Sequence, residues 1–508
     1  MVSSTVALAL TVVTLAAFAA LGIRASRGGD RSTDDFLTAR NSMGRGRTTA
    51  TLVASVMGVW ILLSAPEAGA GFGIAAAVGY GLGEAIPMLV YSKVGPRVRE
   101  LLPEGHSLTE YAHARYGTAF YAFVVVVSAL YMFVFVAAEL TGIAAALSLV
   151  AGVPQYQTAI LVGGFVLLYT GYGGLRATIV TDTVQAVLVA PLLAIVVGGV
   201  VLSLGGPGEV YAGVAAANPT LLDPTNLAGL QFGFALSFAI FGAEMVNQTW
   251  WQRIYAGRDG ETVADSFRAA SLLNGGIVAV AALLGVVAVG HSDVVADVTS
   301  SAYNADVAFF LLVERAFGEP VLLAVVLLAL LLVVSSVDSL FSALASLVTA
   351  DLPRLLGGPD DRTLRLGARL LTLVVAVAAI YVSLRARSVL RLFFFADLLG
   401  PAVAVPLVYG LYSRRLTGGG ALASSLAGLA VGLAFFPDFR GVITAVPLVG
   451  DVLPAADPLY LTSFGGAVVV STLGTLVAAR LSMTTVDLDG LANAGGVAMA
   501  DGGDDSGE

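Results

Sequence analysis

Seven carboxylates stand within or at the edges of long apolar runs: Glu67, Glu84, Glu139, Asp182, Glu244, Asp338 and Asp397. A charge in hydrocarbon is costly, so such residues pair inside a bundle, sit at an interface, or mark the path of an ion or substrate. Two segments narrow that choice. In 328–351, LALLLVVSSVDSLFSALASLVTAD, the adjacent hydroxyls of Ser335 and Ser336 interrupt an apolar stretch. In 50–73, ATLVASVMGVWILLSAPEAGAGFG, apolar continuity breaks at Pro66, Glu67, Gly69, Gly71 and Gly73. A helix broken near mid-membrane frees backbone carbonyls that bind a cation. Two hydroxyls plus such carbonyls offer a sodium ion hard oxygen ligands without a fixed charge. Serines in a spanning helix also bond back to the preceding turn or to a neighbouring helix, and the pair alone does not decide between these uses.

The elements that must position these groups follow from composition. Of 508 residues, 57% are hydrophobic and 12% charged, with mean hydropathy +0.89. That is about half the charge of an average soluble protein. The apolar excess recurs in blocks of about 20 residues, the length that spans a bilayer core. Thirteen spans are predicted, near 4–23, 49–72, 74–94, 119–150, 157–171, 179–204, 228–250, 269–290, 320–350, 366–384, 392–411, 419–436 and 461–481. The first lacks a basic leader and a small-residue cleavage site, so it reads as a span, not a signal peptide. The class is all-α and polytopic, with a transmembrane domain over 1–483.

Charge orients the bundle. Lys93 is the only lysine; the other 25 basic residues are Arg. With loops numbered alternately from the first, 21 of the 26 fall on one side. Positive charge marks the cytoplasmic side, which puts the N-terminus outside and the C-terminus inside, in the cell membrane. Arg253 reads as an inside anchor. The Gly- and Asp-rich stretch 484–508 reads as a disordered, acidic cytoplasmic tail. The net charge of −9 argues against a nucleic-acid partner. The absence of Cys excludes thiolate chemistry and disulfides. Three His leave little for a metal site, and His106 with His113, seven apart in a charged loop, read as solvated.

From Asp34 to Arg415 the chain resembles the sodium:solute symporter family of proline, pantothenate, sugar and urea transporters. The resemblance rests on DDFLTARNSMG, SLTEYAHARYG, YTGYGGLRA at Tyr169–Ala177 followed by Thr181-Asp182 and Gln185, QTWWQRIYAGRD, and SSVDSLFSALASLVTADLPR, in that order. It implies a LeuT-type fold of two inverted five-helix repeats, here about 49–204 and 228–411, with broken helices at the second and seventh spans. It also implies a sodium site between the second and ninth spans. Carried over, the ligands are the backbone carbonyls of Ala54, Met57 and Leu332 and the hydroxyls of Ser335 and Ser336. Asp182 matches a carboxylate on the cation path toward the cytoplasm, with an interface helix cap as the other reading.

For the substrate, Trp60 matches an aromatic near the proline symporter's pocket, and Glu84 is similar in place to a sugar-binding Glu. Gln248 and Trp251 lie in a stretch similar to urea symporters. Val56 stands where the proline symporter has Asp, and the sugar-binding Lys has no counterpart. The implied function is sodium-coupled import of a small polar organic solute (an amino acid such as proline, a urea-like compound or a carboxylate) by alternating access. No cofactor is implied, only sodium as coupling ion and the lipid bilayer. Two alternatives remain open: proton coupling on the same fold through Glu67, Glu84 or Glu139, and a transporter-like sensor. No catalytic constellation of an enzyme is visible.

Overall fold

The computed structural model describes residues 2–26, 38–356, 361–386, 388–447 and 449–493. Among them are helices and short turns, with no strand. In chain order the principal helices are α1 Ser4–Ser26, α2 Arg45–Val56, α3 Ser64–Leu101, α4 Leu108–Tyr116, α5 Thr118–Ala151 and α6 Gln155–Ser203. They continue as α7 Pro207–Ala217, α8 Leu227–Met245, α9 Gln248–Ala256, α10 Gly260–His291, α11 Ala308–Ala316 and α12 Glu319–Leu356. The last six are α13 Asp361–Ser383, α14 Val389–Asp397, α15 Gly400–Tyr409, α16 Gly418–Phe435, α17 Pro437–Thr444 and α18 Leu459–Leu481.

Nine helices among the described residues are apolar and long enough to cross a membrane, and the bent pair α14–α15 makes a tenth. The other three expected segments are helical but broken or short: 49–72 is interrupted, and 157–171 and 366–384 retain the apolar stretches Gln155–Leu168 and Leu373–Ser383. Length and composition therefore do not by themselves reach thirteen.

The first break falls earlier than the Pro and Gly residues of 66–73 suggest. α2 stops at Met57, whose ψ of 89° leaves the helical region, and Gly58 is extended at φ −92°, ψ 177°. A 3₁₀ turn, Val59–Leu62, precedes α3. Pro66 then sits in the first turn of α3, where a proline costs no hydrogen bond. Gly73 does interrupt: its φ of 76° and ψ of −164° divide α3 after Phe72. That is a turn for which glycine is suited, and it separates the second expected span from the third. The second broken element is α8–α9, which parts at Val246–Asn247, with the Asn247 side chain capping Thr249 N at 3.0 Å.

Small residues let the helices meet backbone to backbone. A Cβ on Gly69 of α3 would lie 1.9 Å from the Ala282 carbonyl of α10, and one on Gly285 would lie 1.8 Å from the Pro66 carbonyl. The loop histidine is not solvated as expected: His106 is buried, with Nδ1 3.2 Å from Glu110, because that loop folds into the capped helix α4. His113 packs edge-on to Tyr121. The start of the tail also departs from the disorder that its composition suggests. Val486 N donates to Arg414 O at 2.7 Å, and Leu488 and Leu491 are buried. Two leucines three apart in a short turn make one apolar face, which the glycines around them conceal in composition. Residues 494–508 lie outside the described set.

Candidate functional site

The break in α2–α3 faces the middle of α12. Gly58 N donates to Val56 O at 2.9 Å instead of to Ala54 O, its partner in a regular helix, which leaves the Ala54 carbonyl available. Ser335 Oγ takes it up at 3.0 Å and reaches Asp182 Oδ1 at 2.7 Å. The neighbouring Ser336 Oγ lies 3.3 Å from Leu332 O and 2.8 Å from Glu139 Oε2. Ala54, Leu332, Ser335 and Ser336 are therefore brought together across two helices. Met57 joins them as a wall residue: Ala54, Met57 and Ser335 line a cavity of about 240 Å³ together with Gln185.

Two buried side chains next to these serines hold unpaired atoms. Both polar atoms of the Gln185 amide are unpaired beside Ser335. Glu139 Oε2 accepts from Ser336 and from Val59 N at 2.8 Å, while Oε1 is buried and unpaired. Gly58 makes room for it, since a Cβ there would lie 2.1 Å from Glu139 Oε1. Unpaired buried acceptors are expensive. The Ala54 carbonyl, the Ser335 hydroxyl and the Gln185 amide at this cavity, with the Ser336 hydroxyl and the Glu139 carboxyl at the adjoining residue, are oxygen groups of the kind that a small hard cation takes as ligands. Sequence reasoning placed Glu139 among the intramembrane carboxylates but not beside Ser336, and it used Gln185 only as a motif residue.

Asp182 is fully buried and paired. Arg253 Nη2 lies 3.1 Å from Asp182 Oδ2, 2.9 Å from Ser55 Oγ and 2.8 Å from Ser339 Oγ. Thr51 Oγ1 also donates to Asp182 Oδ2, and Nε of Arg253 lies 3.3 Å from Thr51. Arg253 is 0% exposed and so is not a membrane-surface anchor. Its position in α9, just after the second helix break, turns it inward onto α2, α6 and α12.

A second and larger cavity, enclosing about 450 Å³, opens between α3, α5, α8 and α14. Trp60 and Glu84 line it, as do Tyr80, Tyr131, Glu244, Trp250, Phe393 and Asp397. Trp60 stacks on Tyr80 at 5.6 Å and meets Phe393 edge-on at 5.7 Å, and its Nε1 donates to Val56 O. Glu244 accepts from Tyr131 Oη at 2.6 Å, from Asn247 Nδ2 at 3.2 Å and from Trp250 Nε1. Glu84 Oε2 is buried without a partner.

Gln248 and Trp251 are not among these walls. Gln248 accepts from Leu108 N at 2.8 Å, and Trp251 stacks on Tyr111 at 5.4 Å, so both fasten α9 to α4. Trp250, one residue earlier, faces the cavity instead, because neighbours in a helix point about 100° apart. Of the motif residues, 34–37 lie outside the described set, as do the side chains of 169–174, 176, 177, 348–350 and 352–354.

A sequence model described as the sodium:solute symporter family matches residues 36–428. The chain belongs to that family, and it is a multi-pass membrane transporter rather than an enzyme. It is 26% identical over 381 residues to the spermidine transporter DUR31 of Candida albicans, covering 75% of this chain and 70% of that one. It is 24% identical over 254 residues to the urea-proton symporter DUR3 of Oryza sativa subsp. japonica, covering 44% of this chain and 35% of the relative. Among solved structures, a substrate-bound, outward-open Na+-coupled sialic acid symporter aligns with TM-score 0.75 over 94% of this chain and 98% of that one, at 16% identity. The fold is thus the all-helical LeuT type.

Proposed function

We propose that this symporter imports a small organic solute together with sodium, with the ion held between the α2–α3 break and α12. The supporting observation is the Ser335 hydroxyl on the Ala54 carbonyl beside the unpaired Gln185 amide, with the next residue, Ser336, against Glu139. Ala54, Met57 and Leu332 would add backbone carbonyls. The ion is cargo. Its entry, driven by gradient and membrane potential, gains about 2.3 kcal/mol per charge per 100 mV. Coupling requires that ion and solute favour the same conformation. The break supplies this, because one residue run, Val56–Trp60, connects the two sites: Ala54 precedes it and Val56 and Trp60 line the larger cavity.

Asp182 would lie on the route by which the ion leaves, with the Arg253 pair as its gate. In this reading the two repeats span about 49–204 and 228–411, the N-terminus is outside and the C-terminus cytoplasmic, in the cell membrane. The experiment is uptake into proteoliposomes of labelled spermidine, urea and proline, in sodium against potassium. Sodium-dependent uptake that disappears in Ser335→Ala with Ser336→Ala supports the reading; uptake indifferent to sodium overturns it.

Proton coupling is a second reading with its own observation. Glu139, against Ser336, carries a buried, unpaired oxygen, and protonation would remove its uncompensated charge. The relative from Oryza sativa is named as a proton symporter. Uptake driven by a pH gradient in sodium-free buffer, and lost in Glu139→Gln, would favour this reading.

A further inference from the structure

The larger cavity carries acid on three sides and no base. Glu84, Glu244 and Asp397 come from α3, α8 and α14, and among the described residues no Arg, Lys or His lines the space. All three carboxyl groups border the same space. The Glu244 carboxyl accepts hydrogen bonds from a phenol, an indole and an amide. Glu84 keeps an oxygen without a partner. Aromatic rings make up much of the rest, with Trp60 stacked on Tyr80 and Phe393 set against Trp60, beside aliphatic Val56, Leu236, Ile240 and Leu390. Buried acid without counter-charge is unstable. Carboxylates beside aromatic faces are the combination that receives an ammonium group.

We infer that the solute carried in this cavity is a small organic cation, with one or more ammonium groups on a short carbon chain, and not a neutral or anionic molecule. The inference rests on the symport reading above. It assigns Glu84, Glu244 and Asp397 as the groups that meet the charged nitrogen, with Trp60 and Phe393 against the carbon chain. An anionic carboxylate substrate would meet three carboxyl groups and, among the described lining residues, no base to pair with it. A neutral solute would leave the charge of the site to be balanced by protons alone.

The test uses the full chain, purified and reconstituted, with putrescine and spermidine as cationic probes and urea and proline as neutral or zwitterionic ones. The expected result is saturable uptake of labelled spermidine, competed by putrescine and not by urea or proline at the same concentration. Glu84→Gln and Asp397→Asn should each raise the half-saturating concentration at least tenfold. Size-exclusion profiles identify a variant that fails to fold, and the other then carries the test. Ligand-induced thermal shifts of wild type by the two amines, absent with urea, give a readout independent of flux. Sodium-dependent uptake of urea or proline, with neither amine taken up nor shifting the melting temperature, overturns the inference and leaves the coupling reading standing. Spermidine uptake that ignores sodium keeps the cationic pocket and overturns the coupling reading instead.

Discussion

The two polar regions of this bundle solve the same problem in opposite ways. Around Ser335 the protein supplies its own cation: Asp182 is held by Arg253, whose guanidinium also donates hydrogen bonds to Ser55 and Ser339. In the larger cavity, Glu84, Glu244 and Asp397 face one another with no basic residue among them. The first arrangement is a locked pair that must open for anything to pass. The second is a site whose charge is completed by what enters it. A buried charge is tolerable either way, but only the second leaves its carboxyl groups to be balanced by a ligand.

Removing one member of the locked pair should have the largest effect. Arg253→Ala leaves Asp182 buried and uncompensated, a loss of about 3–5 kcal/mol. The detergent-solubilised variant should melt well below wild type, and adding Asp182→Ala should recover part of that loss. A double variant less stable than the single would mean that the guanidinium acts mainly through its serine contacts and not as a counter-charge.

The next effect falls on the ion. Hydrogen bonds to charged groups are worth about 1.5–3 kcal/mol, so losing both hydroxyls in Ser335→Ala with Ser336→Ala should weaken sodium activation by about a hundredfold. A response below threefold in the sodium titration of uptake would detach these serines from coupling. Gln185→Leu removes one neutral donor from the wall of the smaller cavity and should cost about tenfold in the same titration. Unchanged sodium activation would return Gln185 to a packing role.

An exposed carboxylate gives the baseline for these buried ones. Asp259 caps α10 through Thr262 N at 2.7 Å, and that bond with Arg258 holds its carboxyl at about 2, below the usual 3.8. The folded value is depressed, so its contribution is fully present above the unfolded value and is lost as pH falls toward 2. Asp259→Ala should lower the melting temperature slightly at pH 7, with the difference shrinking from pH 4 downward. A difference independent of pH would point to helix propensity and not to the charged cap.

The legible and illegible parts of the sequence divide along the same line. Ser335–Ser336 and the broken 50–73 segment stood out because each interrupts an apolar run, and interruption needs no knowledge of which way a side chain points. The break itself lay at Met57–Gly58, since Pro66 is accommodated in the first turn of α3 and leaves no mark on the helix it begins. The pocket was harder. Glu84 and Trp60 line it, but Trp250 does so in place of Trp251, and a one-residue step about a helix cannot be read without knowing its neighbours. Glu139 was visible as a charge in a span, yet its role beside Ser336 depends on a glycine 81 positions earlier, Gly58, having no side chain. Arg253 carried a basic residue's usual surface reading because the second helix break, which folds α9 inward, is written in an Asn cap and not in any breaker.

The most direct measurement is equilibrium binding of ²²Na+ to the purified protein, wild type against Ser335→Ala with Ser336→Ala. Wild type should bind saturably, without displacement by potassium, and the double variant should lose that binding. Binding of equal affinity to both proteins would contradict the placement of the ion between the α2–α3 break and α12.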